Sequence, residues 1–287
     1  MKTQSKEKYS QLIQDGFCIV PGVLTSELLE QLKIVTDRLC RADDVKVRRR
    51  FRSQGSMLST MSDPIFAELI AWPTALSLFT QMGFDTPTFT DGYIISKPPN
   101  SPPLFWHYDW FAWDDPTAYD KRPQQVFFMY YLVDTKRENG CLRVIPGSHC
   151  EHNSLHEQLG NPHRADISVA SDLDRAEFSV RPDEIDVPVT AGDLVIGDAR
   201  LLHASHANQS DRRRTVITLW YQPDFSCLPE KIKAQMVAKT QSLPEDWPIV
   251  DKTKIKNLFP KYEGTAEPYG RTLYRHQKMR RRKNRQF

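Results

Sequence analysis

The sequence has few cysteines, little net charge and no long apolar run. Its 287 residues include five cysteines, which are scattered along the chain and form no C-x-x-C pair. This spacing disfavours both a disulfide framework and a zinc–thiolate site. We therefore expect the thiols to be free.

The weak charge and the short apolar runs disfavour two classes of partner. No apolar run approaches the roughly 20 residues that a membrane-spanning helix requires, and residues 1–7 are polar, without the apolar core of a signal peptide behind them. The formal net charge of +3 is too small to indicate nucleic-acid binding. We expect a cytoplasmic monomer or homodimer that binds neither membrane nor nucleic acid, with a solvated basic stretch at 280–283.

The first part of the chain has the apolar periodicity of helices. Apolar side chains recur at helical spacing, which predicts helices over 6–15, 25–41 and 63–83. A short apolar strand ending in Pro-Gly separates the first two helices. The stretch 42–62 is basic and has no periodicity, so we expect a mobile loop there.

From residue 88 onward, short runs of β-branched and aromatic residues alternate with turn residues. These runs predict strands over 88–96, 104–110, 125–133, 141–145, 187–189, 194–198, 201–204 and 215–222. Short strands in this number predict a mainly β fold with flanking helices, a jelly-roll or double-stranded β-helix of the cupin-like kind. We expect the stretch 150–186 to be an insertion over one mouth of this core.

We interpret the whole chain, 1–287, as a single domain because it contains no internal repeat and no low-complexity linker. A helical part reaches to about residue 85 and a β-helix core follows over about 88–225. A helical extension with a basic tail completes the chain over about 229–287.

The stretch 105–110, Phe-Trp-His-Tyr-Asp-Trp, contains two good metal ligands one residue apart. On a strand, side chains two residues apart share a face, so His107 and Asp109 can reach the same ion. They would supply two ligands of the 2-His-1-carboxylate triad, which binds Fe(II) and leaves positions open for a cosubstrate and O₂. Alone this pair is a weak signal, and the alternative is a structural His–Asp hydrogen bond.

A second histidine is needed to complete the triad, and His203 is the best candidate because it ends a short strand late in the β-rich part. The alternative for His203 is a satisfied core histidine. One of the arginines at 212–214, at the foot of the next strand, could clamp a carboxylate bidentately. Ser205, on the same face as His203, could donate to that carboxylate. Such a clamp suits the far carboxylate of a 2-oxo dicarboxylic acid that chelates iron.

Four stretches of the chain resemble the phytanoyl-CoA dioxygenase family of Fe(II)/2-oxoglutarate-dependent oxygenases over roughly residues 10–225. They are 15–24 (DGFCIVPGVL), 95–101 (ISKPPNS), 138–149 (ENGCLRVIPGSH) and 203–214 (HAS, with Asn208, Ser210 and Arg214). The resemblance implies that His107, Asp109 and His203 bind the metal. It also implies that Arg214, eleven residues after the distal histidine, binds 2-oxoglutarate with help from Ser205.

The resemblance implies further assignments around the site. Tyr93 and Met129 fall at positions that line the cosubstrate pocket in the family, and Trp113 matches an aromatic residue near the substrate in a related hydroxylase. We expect Trp110 and Trp113 to face the substrate and Trp106 to pack inward.

The function that the resemblance implies is an oxygenase that uses Fe(II), 2-oxoglutarate and O₂, with ascorbate as an optional stimulant. It would hydroxylate an unactivated C–H bond of a small-molecule metabolite and release succinate and CO₂. Desaturation, epoxidation or cyclisation in secondary metabolism would use the same cofactors. Halogenation is disfavoured because Asp109 occupies the position that halogenating relatives leave open for chloride.

Two alternatives belong to other classes. A zinc or manganese enzyme on a cupin-like barrel would not need Arg214 and Ser205. A non-catalytic metal-binding module should show a broken triad, whereas all three residues are present here.

Overall fold

The computed structural model describes residues 2–162, 164–271 and 275. The strands are β1 (Phe17–Val20), β2 (Ser56–Ser59), β3 (Thr88–Lys97), β4 (Leu104–His107), β5 (Val126–Tyr131), β6 (Leu142–Val144), β7 (Ile185–Val187), β8 (Leu194–Asp198), β9 (His203–Ser205) and β10 (Arg214–Gln222). They form two antiparallel sheets. The larger has six strands in the order β1-β8-β5-β10-β3-β2, and the smaller has four in the order β4-β9-β6-β7.

The helices flank these sheets. They are α1 (Lys2–Asp15), α2 (Ser26–Ala42), α3 (Val45–Arg50), α4 (Ile65–Ile70), α5 (Pro73–Gln81), α6 (Ala165–Ser168), α7 (Glu230–Lys239) and α8 (Ile249–Ile255). Short 3₁₀ helices span Thr60–Ser62, Pro116–Tyr119, Ser154–Glu157, Ala176–Phe178 and Phe225–Cys227. A mainly β fold with flanking helices is therefore confirmed.

Strand β5 lies between the smaller sheet and the N-terminal helices, and all six of its residues are buried. Phe127 and Met129 join a cluster that includes Leu142 and Val144 of the smaller sheet, so this face of β5 packs between the sheets. The alternate residues, such as Phe128, join the cluster formed with the N-terminal helices. A strand covered on both faces is apolar throughout rather than alternating.

The stretch 42–62, predicted to be a mobile loop, instead contains α3 and the edge strand β2. β2 pairs with β3 in antiparallel register, with Ser56 opposite Ser96 and Ser59 opposite Tyr93. Gly55 enters this strand at a φ of +89°, and a Cβ there would lie 2.3 Å from the Ser96 carbonyl oxygen. The stretch has no strand signal of its own because its order comes from pairing with a distant strand, not from apolar periodicity.

The thiols are free, as expected: Cys18, Cys40 and Cys141 are buried, and Cys150 and Cys227 are exposed. Within the described ranges, the helices are too short or too polar to cross a membrane. The basic stretch 280–283 lies outside the described residues. The division into one domain stays a prediction.

Candidate metal and cosubstrate site

His107, Asp109 and His203 come together where β4 meets β9. Each offers one ligand atom, and these atoms all lie within 4.8 Å of one another. His107 ends β4 and His203 begins β9, and the two residues are paired directly across the strands. The two imidazoles therefore start from neighbouring backbone positions.

Asp109 does not lie on the strand, so our argument from strand alternation was wrong at this residue. β4 ends at His107, and the next segment turns toward the connection between β8 and β9. The backbone N–H groups of Asp109 and Trp110 both donate to the Ala199 carbonyl oxygen, at 2.7 and 2.8 Å. This double contact, rather than the pleat of a strand, delivers the carboxylate to the histidines.

A buried ion pair holds the connection that carries Ala199. The Arg200 guanidinium donates to both carboxylate oxygens of Asp198, through Nε at 2.9 Å and Nη2 at 2.6 Å. Arg200 is 1% exposed, and its Nη1 also donates to the carbonyl oxygens of Ala118 and Asp120. Burial opposes the charge of Arg200, but the Asp198 carboxylate raises the pKa of Arg200 above its usual value, so the guanidinium stays charged. Because Asp198 and Arg200 flank Ala199, this pair holds the segment that the Asp109 backbone contacts.

The hydrogen bonds of the two imidazoles select the same tautomer. Nδ1 of His107 is 3.0 Å from the Phe105 carbonyl oxygen, and Nδ1 of His203 is 3.0 Å from the Leu201 carbonyl oxygen. A carbonyl oxygen only accepts, so Nδ1 carries the proton in each ring. Both Nε2 atoms then present lone pairs toward Asp109, 3.7 and 4.0 Å from its carboxylate oxygens. This is the arrangement that metal-binding histidines adopt.

Trp220 orients the carboxylate and was missed by the sequence reasoning. Its Nε1 donates to Oδ2 of Asp109 at 2.8 Å, while Oδ1 is the oxygen nearer to His107. The indole therefore limits rotation of the carboxylate. The period of two along β10 could have indicated this residue, because it puts Trp220 on the same face as Arg214.

An inner cavity of about 50 Å³ adjoins the triad. Arg214 lines it, and its Nη2 donates to the Ser205 hydroxyl at 3.2 Å. Nε of Arg214 is buried without a hydrogen-bond partner, and so is the hydroxyl of Thr218 on the same wall. Burial lowers the pKa of Arg214, yet an arginine remains protonated at neutral pH. No carboxylate among the described residues pairs with it.

Lys97 is a second basic group on this cavity, and the sequence reasoning gave it no role. It is 1% exposed, lies directly across the strands from Arg214, and donates to the carbonyl oxygens of Ser53 and Pro102 at 2.6 and 2.5 Å. Burial, with a smaller contribution from Arg214, lowers its pKa well below the usual range. Like charges on directly opposite strand positions destabilise a sheet, so this pair fits a cavity that takes up an anion.

The two cosubstrate residues predicted from the resemblance lie in different cavities. Met129 lines the inner cavity, as we expected of a cosubstrate residue. Tyr93 instead lines an outer cleft of about 390 Å³, which also reaches His107 and Asp109. Both roles stay predictions.

Trp110 and Trp113 do not line either cavity, so the expectation that they face a substrate was wrong in its geometry. They are 0% and 1% exposed and pack in an apolar cluster with Trp106. The chain has already left β4 at His107, and both indoles turn into this cluster instead of toward the cavities. Trp106 packs inward as expected, with Nε1 donating to the Ser179 carbonyl oxygen at 2.8 Å.

A family model described as "Phytanoyl-CoA dioxygenase (PhyH)" matches residues 12–216 of the chain. The chain belongs to the phytanoyl-CoA dioxygenase family. Phytanoyl-CoA dioxygenase 1 of Oryza sativa subsp. japonica is 28% identical over 159 residues, which are 55% of this chain and 52% of that protein. A probable alpha-ketoglutarate-dependent hypophosphite dioxygenase of Stutzerimonas stutzeri is 29% identical over 125 residues, 44% of this chain and 41% of that protein. The chain thus spans about half the length of the curated relatives that it matches.

Solved structures of other enzymes share the fold of this chain. The epimerase SnoN, solved with Fe³⁺, alpha ketoglutarate and nogalamycin RO, has a TM-score of 0.59 at 19% identity and covers 96% of both chains. HygX from Streptomyces hygroscopicus, with nickel and 2-oxoglutarate bound, has a TM-score of 0.58 at 21% identity and covers 77% of this chain and 87% of its own. At these identities the likeness establishes the fold, and the double-stranded β-helix is confirmed.

Proposed function

We propose that this protein is an Fe(II)/2-oxoglutarate-dependent oxygenase that acts on a C–H bond of a small-molecule metabolite and releases succinate and CO₂. The single observation that carries the proposal is the inner cavity. It places two buried basic side chains, Arg214 and Lys97, beside a His-Asp-His cluster, and no carboxylate of the described chain neutralises them. A dianion with a metal-chelating end satisfies both features.

The donor set fits a hard, redox-active divalent metal. Two imidazole nitrogens and one carboxylate oxygen leave coordination positions open and match the triad of non-haem iron oxygenases. A structural zinc site would instead be closed by four protein ligands. When bound, iron with 2-oxoglutarate and O₂ supplies the oxidant that attacks a C–H bond.

The chain's own residues bind and orient these groups. Arg214 and Ser205 lie where they can hold the far carboxylate of 2-oxoglutarate, and the buried Nε of Arg214 offers an unused donor for it. The inner cavity is small and shares wall residues with the outer cleft. A five-carbon dicarboxylate that lies in the inner cavity, between Arg214 and the metal ligands, would leave the outer cleft for the substrate.

Among reactions with the same cofactors, hydroxylation is the simplest outcome of C–H attack. Desaturation and cyclisation differ from it in the steps after hydrogen is removed, and epoxidation transfers the oxygen to a C=C bond instead. The similarity to SnoN, an epimerase from nogalamycin biosynthesis, supports a place in secondary metabolism. A zinc hydrolase on the same fold is disfavoured because it leaves the two basic residues of the inner cavity without a ligand.

Succinate release tests this function. The purified protein, loaded with Fe(II) and supplied with 2-oxoglutarate in air, is screened against a panel of small metabolites. We expect succinate formation that requires Fe(II) and is stimulated by at least one compound. Asp109→Ala should reduce it to background, while Asp114→Ala, an exposed aspartate in the same segment, should leave it unchanged. Succinate formation that is equal in Asp109→Ala and in the unaltered protein would contradict the proposal.

A further inference from the structure

The outer cleft has a charged wall on the side that the metal ligands do not form. Asp91 of β3, Lys239 at the end of α7 and Arg271 line this wall. The Lys239 ammonium lies 3.7 Å from Oδ2 of Asp91. Asp91 is 4% exposed, and its Oδ1 accepts from the Gly92 backbone and from Nε2 of Gln241, each at 2.9 Å. Gln241 in turn accepts from the Ser59 hydroxyl. The carboxylate is thus fixed in place and holds Lys239 toward the cleft.

The charges on this wall do not balance. Lys239 and Arg271 are two cations, and Asp91 is the one carboxylate with which Lys239 pairs. Within the described ranges, Arg271 makes no ion pair with a carboxylate, although it lines the cleft. Burial lowers the pKa of Lys239; Asp91 on the wall raises it, Arg271 lowers it, and Asp109 among the metal ligands raises it. The wall therefore carries an excess positive charge that an anion would relieve.

The rest of the cleft is aromatic. Tyr93 and Trp220 meet edge to face with ring centroids 6.1 Å apart, and Phe51 and Phe105 also line the cleft. The volume of about 390 Å³ lies at the lower end of the range of roughly 300–1,000 Å³ for small-molecule sites. A space of this size suits a single ring or a short chain. It does not enclose a coenzyme A thioester with its nucleotide.

Two of the three residues of this wall, Lys239 and Arg271, come from the part of the chain that the family model does not match, while Asp91 lies within the match. The match ends at residue 216, and Trp220, Lys239, Gln241 and Arg271 all follow it. These residues lie beside the metal ligands but outside the part that the family shares. We therefore expect them to determine which substrate binds. The inner cavity, by contrast, is formed mostly within the matched part, and only Thr218 and Trp220 of its lining follow residue 216.

We propose that the outer cleft binds a small aromatic or apolar metabolite that carries one anionic group, a carboxylate or a phosphate, and that Lys239 and Arg271 receive this group. The apolar part of the ligand lies against Tyr93 and Trp220, beside the metal ligands. Asp91 and Gln241 act as positioning residues for Lys239. The substrate role of this ligand rests on the proposed oxygenase function, whereas its binding does not.

Binding to the metal-free protein, without 2-oxoglutarate, tests this inference separately from the oxygenase function. The probes are phenyl phosphate, phenylacetate, benzyl alcohol and benzylamine, titrated by calorimetry or by ligand-observed NMR. We expect the two anions to bind at least about tenfold tighter than benzyl alcohol, and benzylamine to bind weakest. Preference for phenyl phosphate or for phenylacetate distinguishes a phosphate-bearing from a carboxylate-bearing ligand.

Variants separate this site from the inner cavity, which also favours anions. Lys239→Gln and Arg271→Gln should each weaken anion binding by about tenfold, while Lys239→Arg keeps it and so controls for misfolding. Lys136→Gln, a largely exposed lysine paired with Glu138, is the matched control on the surface.

Two results would overturn the inference. One is equal affinity for benzyl alcohol and the anions. The other is anion binding that is lost in Arg214→Met but unchanged in Lys239→Gln, because the inner cavity would then be the site. Tight anion binding that depends on Lys239, in a protein that forms no succinate, would support this site and contradict the oxygenase function alone.

Discussion

The inner cavity and the outer cleft lie side by side and are built in opposite ways. Strand residues in fixed register form most of the inner cavity, where Arg214 faces Lys97 across the sheet with no carboxylate between them. The outer cleft takes part of its wall from segments beyond the last strand, and its buried carboxylate, Asp91, is already paired with Lys239.

This difference separates the constant from the variable part of the proposed chemistry. Paired strands hold their side chains at fixed positions, which suits a metal and a cosubstrate that are the same for every substrate. Loops and terminal segments tolerate changes of sequence, which suits the binding of a substrate that differs from one enzyme to another. The unpaired charges of the inner cavity lower stability in exchange for affinity, whereas in the outer cleft Lys239 is paired with Asp91 and Arg271 is the cation left without an ion pair among the described residues. Substitutions in and around the inner cavity test this difference between the two cavities.

The largest effect should come from the buried ion pair between Asp198 and Arg200. Asp198→Asn leaves the Arg200 guanidinium buried without its partner, which should lower the free energy of unfolding by about 3–5 kcal/mol. Urea unfolding followed by circular dichroism measures this loss. The control is Glu30→Gln, which removes an exposed pair with Lys33 and should cost less than about 0.5 kcal/mol. Equal costs for the two variants would show that the pair does not support the site.

Arg214→Met should lower the affinity for 2-oxoglutarate without lowering the stability of the free protein. Without the guanidinium, 2-oxoglutarate affinity should fall by about 100-fold, the loss of one charge-assisted pair. The free protein should be at least as stable as before, because a buried charge opposite Lys97 is removed. Calorimetry and thermal unfolding measure the two quantities. Arg212→Met, an exposed neighbour, should change neither, and a large loss of stability in Arg214→Met would refute the trade between affinity and stability.

Trp220→Phe should affect the metal rather than the fold. The ring is retained but the hydrogen bond to Asp109 is lost, so metal affinity should fall by about 10-fold or somewhat more. A competition titration with a chelator measures it. Trp72→Phe loses an indole hydrogen bond of similar length, to the Val23 carbonyl oxygen, far from the site. If both variants bind metal equally well, Trp220 does not orient the carboxylate.

The smallest effect is a pH dependence that comes from Lys97. Its folded pKa is lowered by burial, so the unfolded chain holds the proton over a pH range in which the folded protein has lost it. Stability should therefore rise with pH between the folded pKa and the unfolded value of about 10.4, by at most about 1.4 kcal/mol per pH unit.

Buried thiols act in the opposite direction in the same range, because burial raises the pKa of Cys141 to about 11. Subtracting the unfolding free energies of Lys97→Met from those of the unaltered protein removes this contribution. The difference should rise with pH in the free protein and become flat when 2-oxoglutarate is bound, since the dianion keeps Lys97 protonated. A slope that 2-oxoglutarate leaves unchanged would place the ammonium outside the cosubstrate cavity.

The sequence predicts the parts of the site that local motifs encode. Motifs select His107, Asp109, His203 and Arg214, and the structure brings all four together, although their roles stay predictions. Strands that form a clear apolar and β-branched run, such as β8 and β10, are predicted almost to the residue. The edge strand β2 was missed because it contains no such run.

The features that the sequence could not predict depend on contacts between distant residues. The hydrogen bond from Trp220 to Asp109 joins residues 111 positions apart, and no local pattern encodes it. Lys97 lies in one of the stretches that resemble the family, but its burial depends on pairing with β10. Trp110 and Trp113 were expected to face the substrate because they flank the metal ligands and, for Trp113, because of the family resemblance, whereas the segment after β4 turns both indoles into an apolar cluster.

An anaerobic titration of the purified protein with Fe(II) and 2-oxoglutarate tests the metal and cosubstrate site most directly. We expect the weak visible charge-transfer band of an Fe(II)–2-oxo acid complex, formed only when both are added and saturating at one equivalent of iron. Asp109→Ala should abolish the band, and Arg214→Met should shift its appearance to about 100-fold higher 2-oxoglutarate concentration. Absence of the band from folded, iron-loaded protein would contradict the assignment of the inner cavity.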